Sequence, residues 1–438
     1  MKTRDYSTAN INPEELTDLK SISDITLSDI RTENNVSVLI FPDSLQEYTR
    51  DFGNKEICHI TEGGNILVTN SIIGFVGRNK TKLSIHSRFS YGETDYFLHY
   101  MIQKIAGINL FDLNHSTSDD SVLNYLIYLF PLYLKKALRQ GIYKQYITQH
   151  YNDADVKGVI NINRHIKYNL PFNGKIAYSK REHTHDNNVN QLIRHTIEYI
   201  KRTRLGTYII DSDSEIRECV RMIVNATPSY MPHYKDKIIN KNTRPVAHPF
   251  YSEYTSLQKL CLRILRYDKI TYGNDTDEIY GVLFDASWLW EEYLAIVLSS
   301  KFNHFKKDQG PRFYLFENFQ QLIPDYLSFD KKIVADAKYI PLNEQKNYGE
   351  EKATAIYYKT ITYMYRFCSN QGYLFYPHPD EEPMPVYYKI KTEEEGVNGG
   401  NIIKLGLRIP NPERCKDFSE FTVLMDLYEN EFLSKLHT

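Results

Sequence analysis

Residues 321–340, QLIPDYLSFDKKIVADAKYI, place two carboxylates and an ammonium group in a stretch that is otherwise mostly apolar or β-branched. Asp325 follows Pro324, and Asp336 and Lys338 stand two residues apart. Residues two apart on a strand share a face, so Asp336 and Lys338 point one way while Ala335, Ala337 and Tyr339 point the other. A hairpin closing near Asp330–Lys331 brings Asp325 across from that pair. Burying such charges costs several kcal/mol unless something binds them. A divalent metal and a scissile phosphate would do so. Hard carboxylate oxygens suit Mg²⁺, which keeps several waters and takes phosphate as a ligand. The metal generates the attacking hydroxide and offsets the charge of the transition state. Lys338 is placed to position the attacking water and to neutralise the phosphate, and a buried lysine can have its pKa tuned for that task. The competing reading is a surface hairpin with one salt bridge.

The flanking segments supply further candidates. In WLWEEYLAIVL, Trp290, Tyr293, Leu294 and Val297 mark the buried face of a helix, with Glu291 at its edge, in reach of a metal. After the hairpin, Lys359 and Tyr363 stand at i and i+4 on one helix face, to support the site or touch DNA backbone. Helix, hairpin, helix, then the strands GYLFYP, PVYYKIK and IIKLGLRI give an α/β (α+β) order with a central mixed sheet flanked by helices. Upstream, residues 1–115 read as a β-rich domain, in which VSVLIF, GNILVTNSIIGFVG and KLSIHSRF are strands and GRNKT is a turn. Residues 116–250 read as mostly helical, with DVKGVININRHIKYN and GKIAYSKREHTHD as a strand pair and Ser214 as an N-cap. A Pro-rich connection then leads into a third segment, 251–438.

The chain's 438 residues are 42% hydrophobic, enough for two or three domains with proper cores. Five scattered cysteines, with no Cys-x-x-Cys pair, fit neither a zinc site nor a disulfide framework. No apolar signal region opens the chain and no long apolar run interrupts it, so the expectation is a soluble, cytoplasmic protein with no membrane partner. The net charge of −2 hides an asymmetry: Ser121 to Phe250 holds 20 Lys and Arg against 10 Asp and Glu. A basic middle between acidic flanks suits a polyanion such as double-stranded DNA, though a solvated basic helical face reads the same way. His183 and His185 lack a further ligand at helical spacing and read as loop histidines.

The order Glu, Pro-Asp, Asp-x-Lys, helix is that of the PD-(D/E)xK nucleases. More of the chain resembles one family, the McrC-like nuclease subunits and their LlaJI-type relatives. GFVGRNKTKLSIHSRF is similar to their N-terminal strand pair, and DVKGVININRHI with YSKREHTHDNNVNQLIRHTIEYI to their middle segment. LWEEYLAIVL resembles the helix that carries the upstream acid, here Glu291. IPDYLSFDKKIVADAKY matches Asp325, Asp336 and Lys338 one by one. One departure stands out, because Lys359 occupies a position where many relatives have Gln. The resemblance implies an Mg²⁺-dependent endodeoxyribonuclease (Mn²⁺ substituting), with Asp325, Asp336 and Glu291 as metal ligands and Lys338 as catalytic lysine. It also implies a separate McrB-like AAA+ GTPase hexamer that residues 1–115 dock to and stimulate. The chain has no Gly-x-x-x-x-Gly-Lys-Ser/Thr motif of its own. Arg78, Lys80 and Lys82 at the GRNKT turn are candidate contacts to that motor. A non-catalytic adaptor for the motor and an RNA-directed nuclease on the same fold are the rival readings.

Overall fold

The computed structural model describes residues 1–23, 25–27, 38–41, 56–61, 63–78, 81–92, 94–106, 120–203, 206–211, 213–271, 280–305, 311–317, 319–340, 350–379, 381, 383–391 and 399–436. Two compact units result: Met1–Val122 together with Gly273–Thr438, and Leu123–Tyr272. The expected division at 250/251 falls inside the second of these, where helix Glu253–Thr271 packs along helix Asn188–Arg202.

In the first unit, the strand Tyr280–Asp285 binds the two ends of the sequence together. It pairs antiparallel with Ile72–Arg78 and parallel with Val38–Phe41. Thr81–His86 and Lys2–Arg4 complete this five-stranded sheet. The central pairing is close enough to require glycine on both strands. A Cβ on Gly281 would lie 2.3 Å from the Phe75 carbonyl oxygen, and one on Gly74 would lie 2.1 Å from that of Val282. Alternating Leu83 and Ile85 from one strand and Ile72 and Val76 from the next bury one face against Leu19, Ile22, Ile40 and Leu67. The GRNKT turn does join two paired strands, with Arg78 opposite Thr81 and Gly77 opposite Lys82. Lys80 itself lies outside the described residues.

The second sheet of this unit is mixed and six-stranded, in the order Phe302–His304, Tyr326–Ser328, Ile333–Ala337, Gln371–His378, Asn401–Arg408, Val386–Lys389. Its inner three strands run parallel and its outer ones antiparallel. One face carries Leu327, Val334, Leu374 and Ile402 against Tyr363, Met364 and Phe367 of helix Glu350–Phe367. On the other face, Phe375 meets Phe432 at 5.2 Å between ring centroids. The indole N–H of Trp290 donates to the Phe375 carbonyl at 3.4 Å. Buried Glu429, on helix Phe418–Ser434, ties this helical layer together. It accepts hydroxyls from Tyr100 and Tyr293, each at 2.7 Å, and an ammonium hydrogen from Lys104 at 2.7 Å.

In the second unit, Gln145–Asp153 and Ile176–Thr184 form a nine-residue antiparallel pair. The segment DVKGVININRHIKYN, expected as the strand partner, is instead a two-residue strand Val159–Ile160 followed by helix Ile162–Asn169. Asn161 switches the chain by accepting the Arg164 N–H at 3.1 Å, a side-chain N-cap that outweighs the β-branched run before it. His183 is a strand residue rather than a loop one, stacked on Tyr146 at 4.5 Å. The N-cap of helix Ser214–Ala226 is Asp213, one residue earlier than expected. Among the described residues no two cysteines form a disulfide. Among the described residues no helix is long and apolar enough to cross a membrane.

Asp5 follows the first strand and is fully buried beside Arg88, whose backbone N–H it accepts and whose guanidinium lies 3.8 Å away. Burial pushes its carboxyl from 3.8 up to about 7, against the pull of Arg88. Between those values the folded state holds a proton that the unfolded chain has released, so Asp5 erodes stability as pH rises through that window and adds no further loss above it. An Asp5→Asn variant should lack this contribution. Denaturant midpoints of both proteins at about pH 4.5 and about pH 7.5 should therefore show the variant gaining on wild type at the higher pH. A difference that does not change with pH would disprove the assignment.

Candidate active site

Hairpin geometry assembles the acidic residues. Tyr326 lies opposite Ala335 and Leu327 opposite Val334, which puts Asp325 across from Asp336. Lys331 makes the turn with φ +62°, donating its N–H to the Ser328 carbonyl at 2.9 Å. Asp330 braces it by accepting from Ser328 Oγ at 2.6 Å and from the Lys332 N–H at 3.0 Å. Asp325 then reaches over the strand pair, where its Oδ2 accepts the Ala337 N–H at 2.7 Å.

Asp336, 1% exposed, is the deepest of the set. Lys338 Nζ sits against its Oδ2, and Lys359 Nζ donates to its Oδ1 at 3.0 Å. Burial alone would raise this carboxyl, but the two ammonium groups hold it well below the usual range. Asp325 behaves oppositely: burial, reinforced by the Asp336 charge, pushes it from 3.8 up to about 6. Glu291, on helix Ala286–Val297, is also pushed up by burial and then by the charges of Asp325, Glu292 and Asp336. Its backbone carbonyl accepts the Tyr326 hydroxyl at 2.5 Å, which ties that helix to the hairpin.

Lys359 and Tyr363 act together from the covering helix. Lys359 Nζ lies 5.4 Å from the centre of the Tyr363 ring. The Tyr363 hydroxyl donates to the Ile323 carbonyl at 2.8 Å, just ahead of Pro324 and Asp325. The structure thus brings Asp325, Asp336, Lys338 and Lys359 together, with Tyr363 beneath them and Glu291 within electrostatic range. Arg78 and Lys82 lie instead on the first sheet, where the Lys82 ammonium stands over the Phe75 ring at 5.3 Å.

A cation fits the donor set in one particular way. Among the described residues, no three His, Cys, Asp or Glu side chains gather as a ready-made cage. Mg²⁺ does not need one: it binds through one or two carboxylates and completes its shell with water and substrate phosphate. Asp325 and Asp336, hard oxygen donors on adjacent strands, supply that number.

A family profile described as "McrBC 5-methylcytosine restriction system component" matches residues 67–377, more than half of the chain. The chain belongs to this family. Two solved structures are similar to it. One is a refined half-complex from a tetradecameric assembly of Thermococcus gammatolerans McrB AAA+ hexamers with bound McrC, at 14% identity and a TM-score of 0.48, covering 98% of this chain and 99% of that one. The other is the cryo-EM structure of the Thermococcus gammatolerans McrBC complex, at 13% identity and a TM-score of 0.33, covering 68% of this chain and 87% of that one. No curated protein matches.

One residue beside this candidate site, His304, escapes a reading of the sequence. His304 Nδ1 donates to the Asp325 carbonyl at 3.0 Å, and its Nε2 faces Glu292 Oε1 at 3.9 Å. A single histidine at the end of a three-residue strand gives no periodic or spacing signal. For Tyr363, replacement by Phe should remove the hydroxyl that satisfies the Ile323 carbonyl, at a cost of about 1 kcal/mol in denaturant unfolding. No change in stability would mean that this contact does not anchor the Pro-Asp turn.

Proposed function

We propose that this chain is the nuclease component of an McrBC-type restriction system, a metal-dependent endodeoxyribonuclease of the PD-(D/E)xK type acting on double-stranded DNA. The observation that carries the reading is Asp336, fully buried yet held ionised by two ammonium groups, with Asp325 facing it across the hairpin. A carboxylate kept charged at that depth is a ligand in waiting. Family membership supports the restriction setting.

In this reading Asp325 and Asp336 would hold Mg²⁺, which when bound would activate water at neutral pH and offset charge on the scissile phosphate. Lys338, on the same face as Asp336, orients the attacking water and neutralises a phosphate oxygen. Glu291, whose carboxyl keeps its proton more tightly than usual, is the upstream acid at the helix edge. The Ala337 N–H fixes which oxygen of Asp325 remains open to the cation. Tyr363 and His304 hold the backbone on either side of Asp325 in place.

Timing and specificity are assigned to a separate AAA+ GTPase motor, since the chain carries no nucleotide-binding motif of its own. The basic middle of the chain offers only phosphate attraction, which carries no sequence information. Several of its cations are already spent on ion pairs, such as Lys135 with Asp213, Arg194 with Glu198 and Arg221 with Glu218.

Purified with its neighbouring encoded NTPase, the chain should linearise plasmid DNA in Mg²⁺ and stop in chelator. Asp336→Asn or Lys338→Ala should slow cutting by about 10²-fold or more while circular dichroism stays unchanged. Wild-type rates in either variant would remove these residues from the chemistry. Motor binding without cleavage would make the chain an adaptor, and a preference for RNA would redirect the activity. DNA affinity should fall steeply between about 50 and about 200 mM salt, as counterion release demands. Salt-insensitive binding would exclude the basic middle as the DNA contact.

A further inference from the structure

We infer that the ammonium group of Lys359 stands in for a second divalent cation, so that this site takes one metal ion per chain. The inference rests on the metal-dependent reading of the site given above. It concerns how the charge at that site is balanced.

Each oxygen of Asp336 already faces a nitrogen: Lys338 Nζ at Oδ2 and Lys359 Nζ at Oδ1, the latter at 3.0 Å. Of the Asp325 oxygens, Oδ2 is engaged by the Ala337 N–H. The free donor capacity of the two facing carboxylates is therefore small, enough for one ion and its waters. Lys359 is not a loosely swinging side chain. Its side chain is 45% exposed, but its ammonium group lies over the Tyr363 ring, whose hydroxyl is itself fixed on Ile323.

Charge balance points the same way. The Asp325 and Asp336 carboxylates are already matched one for one by the Lys338 and Lys359 ammonium groups. Each divalent ion therefore adds two positive charges to a site that starts near balance, and a second ion would crowd four into surroundings that screen charge poorly. In two-metal sites the ions lie about 3.5–4 Å apart and share carboxylate oxygens. An ammonium at hydrogen-bond distance from Oδ1 occupies that kind of position and carries the same sign of charge.

Mn²⁺ titration of the full chain, with free Mn²⁺ followed by electron paramagnetic resonance, tests this without any turnover. Wild type and Lys359→Arg should each bind one Mn²⁺, and Lys359→Gln should bind two. The Arg variant keeps the charge, so it separates an electrostatic role from a purely structural one. Two ions in wild type, or one ion in all three proteins, would overturn the role given to Lys359 and leave the metal-dependent reading standing. No Mn²⁺ bound by any of the three would overturn that underlying reading itself.

Discussion

Asp336 is 1% exposed on a sheet face, and an uncompensated carboxylate at that depth would cost several kcal/mol. Lys338 and Lys359 supply the compensation, one from the same strand and one from the helix that covers it. Much of the surrounding structure holds those three groups in register. A slip of one residue would turn Asp336 toward the opposite face, where Phe375, Trp290 and Phe432 are packed. The turn at Lys331, the parallel pairing of Asp336 with Leu374 and the Tyr363 anchor all oppose that slip.

Asp325 and Glu291 show the other side of the same electrostatics. Their carboxyls are raised first by burial and then by neighbouring acid charge, Asp336 acting on Asp325 and Asp325 on Glu291, and the lysines that lie on Asp336 only partly offset this. One buried acid is ionised at the expense of its neighbours. Acidic groups with pKa values pushed in opposite directions at one location are a common property of functional sites. A surface salt bridge has no comparable effect on the groups around it.

The hairpin was legible because its signals are local: Pro324 before Asp325, Asp336 and Lys338 alternating with Ala335, Ala337 and Tyr339, and a polar turn. The Lys359–Tyr363 spacing was legible for the same reason, although nothing in it reveals that the two tips meet over Asp336 and Ile323. Long-range pairings left no such mark. Tyr280–Asp285 gives no sign in the sequence that its partners are Ile72–Arg78 and Val38–Phe41, and the matching glycines Gly74 and Gly281 acquire meaning only once those strands lie side by side. Helix Ile162–Asn169 was hidden by β-branched residues, with the single cap at Asn161 deciding the outcome. The Glu429 network joins three helices remote in sequence, so no window of residues displays it.

The wedging of Tyr280–Asp285 between two N-terminal strands has a consequence for how the protein is made. Ribosomes deliver about 5–20 residues each second, so the roughly 200 residues between Arg78 and Tyr280 take tens of seconds to emerge. Throughout that interval the edge of Ile72–Arg78 is unsatisfied, and Val38–Phe41 has no neighbour in the sheet at all. Both are apolar strands with open backbone hydrogen-bonding groups, the kind of surface that recruits other nascent chains. Meanwhile the inserted unit, compact in itself, is free to fold as it leaves the exit tunnel. Synthesis therefore runs out of step with assembly: the first strands made are among the last to be completed, and a holding chaperone on the N-terminal sheet would shield them until the closing strand arrives.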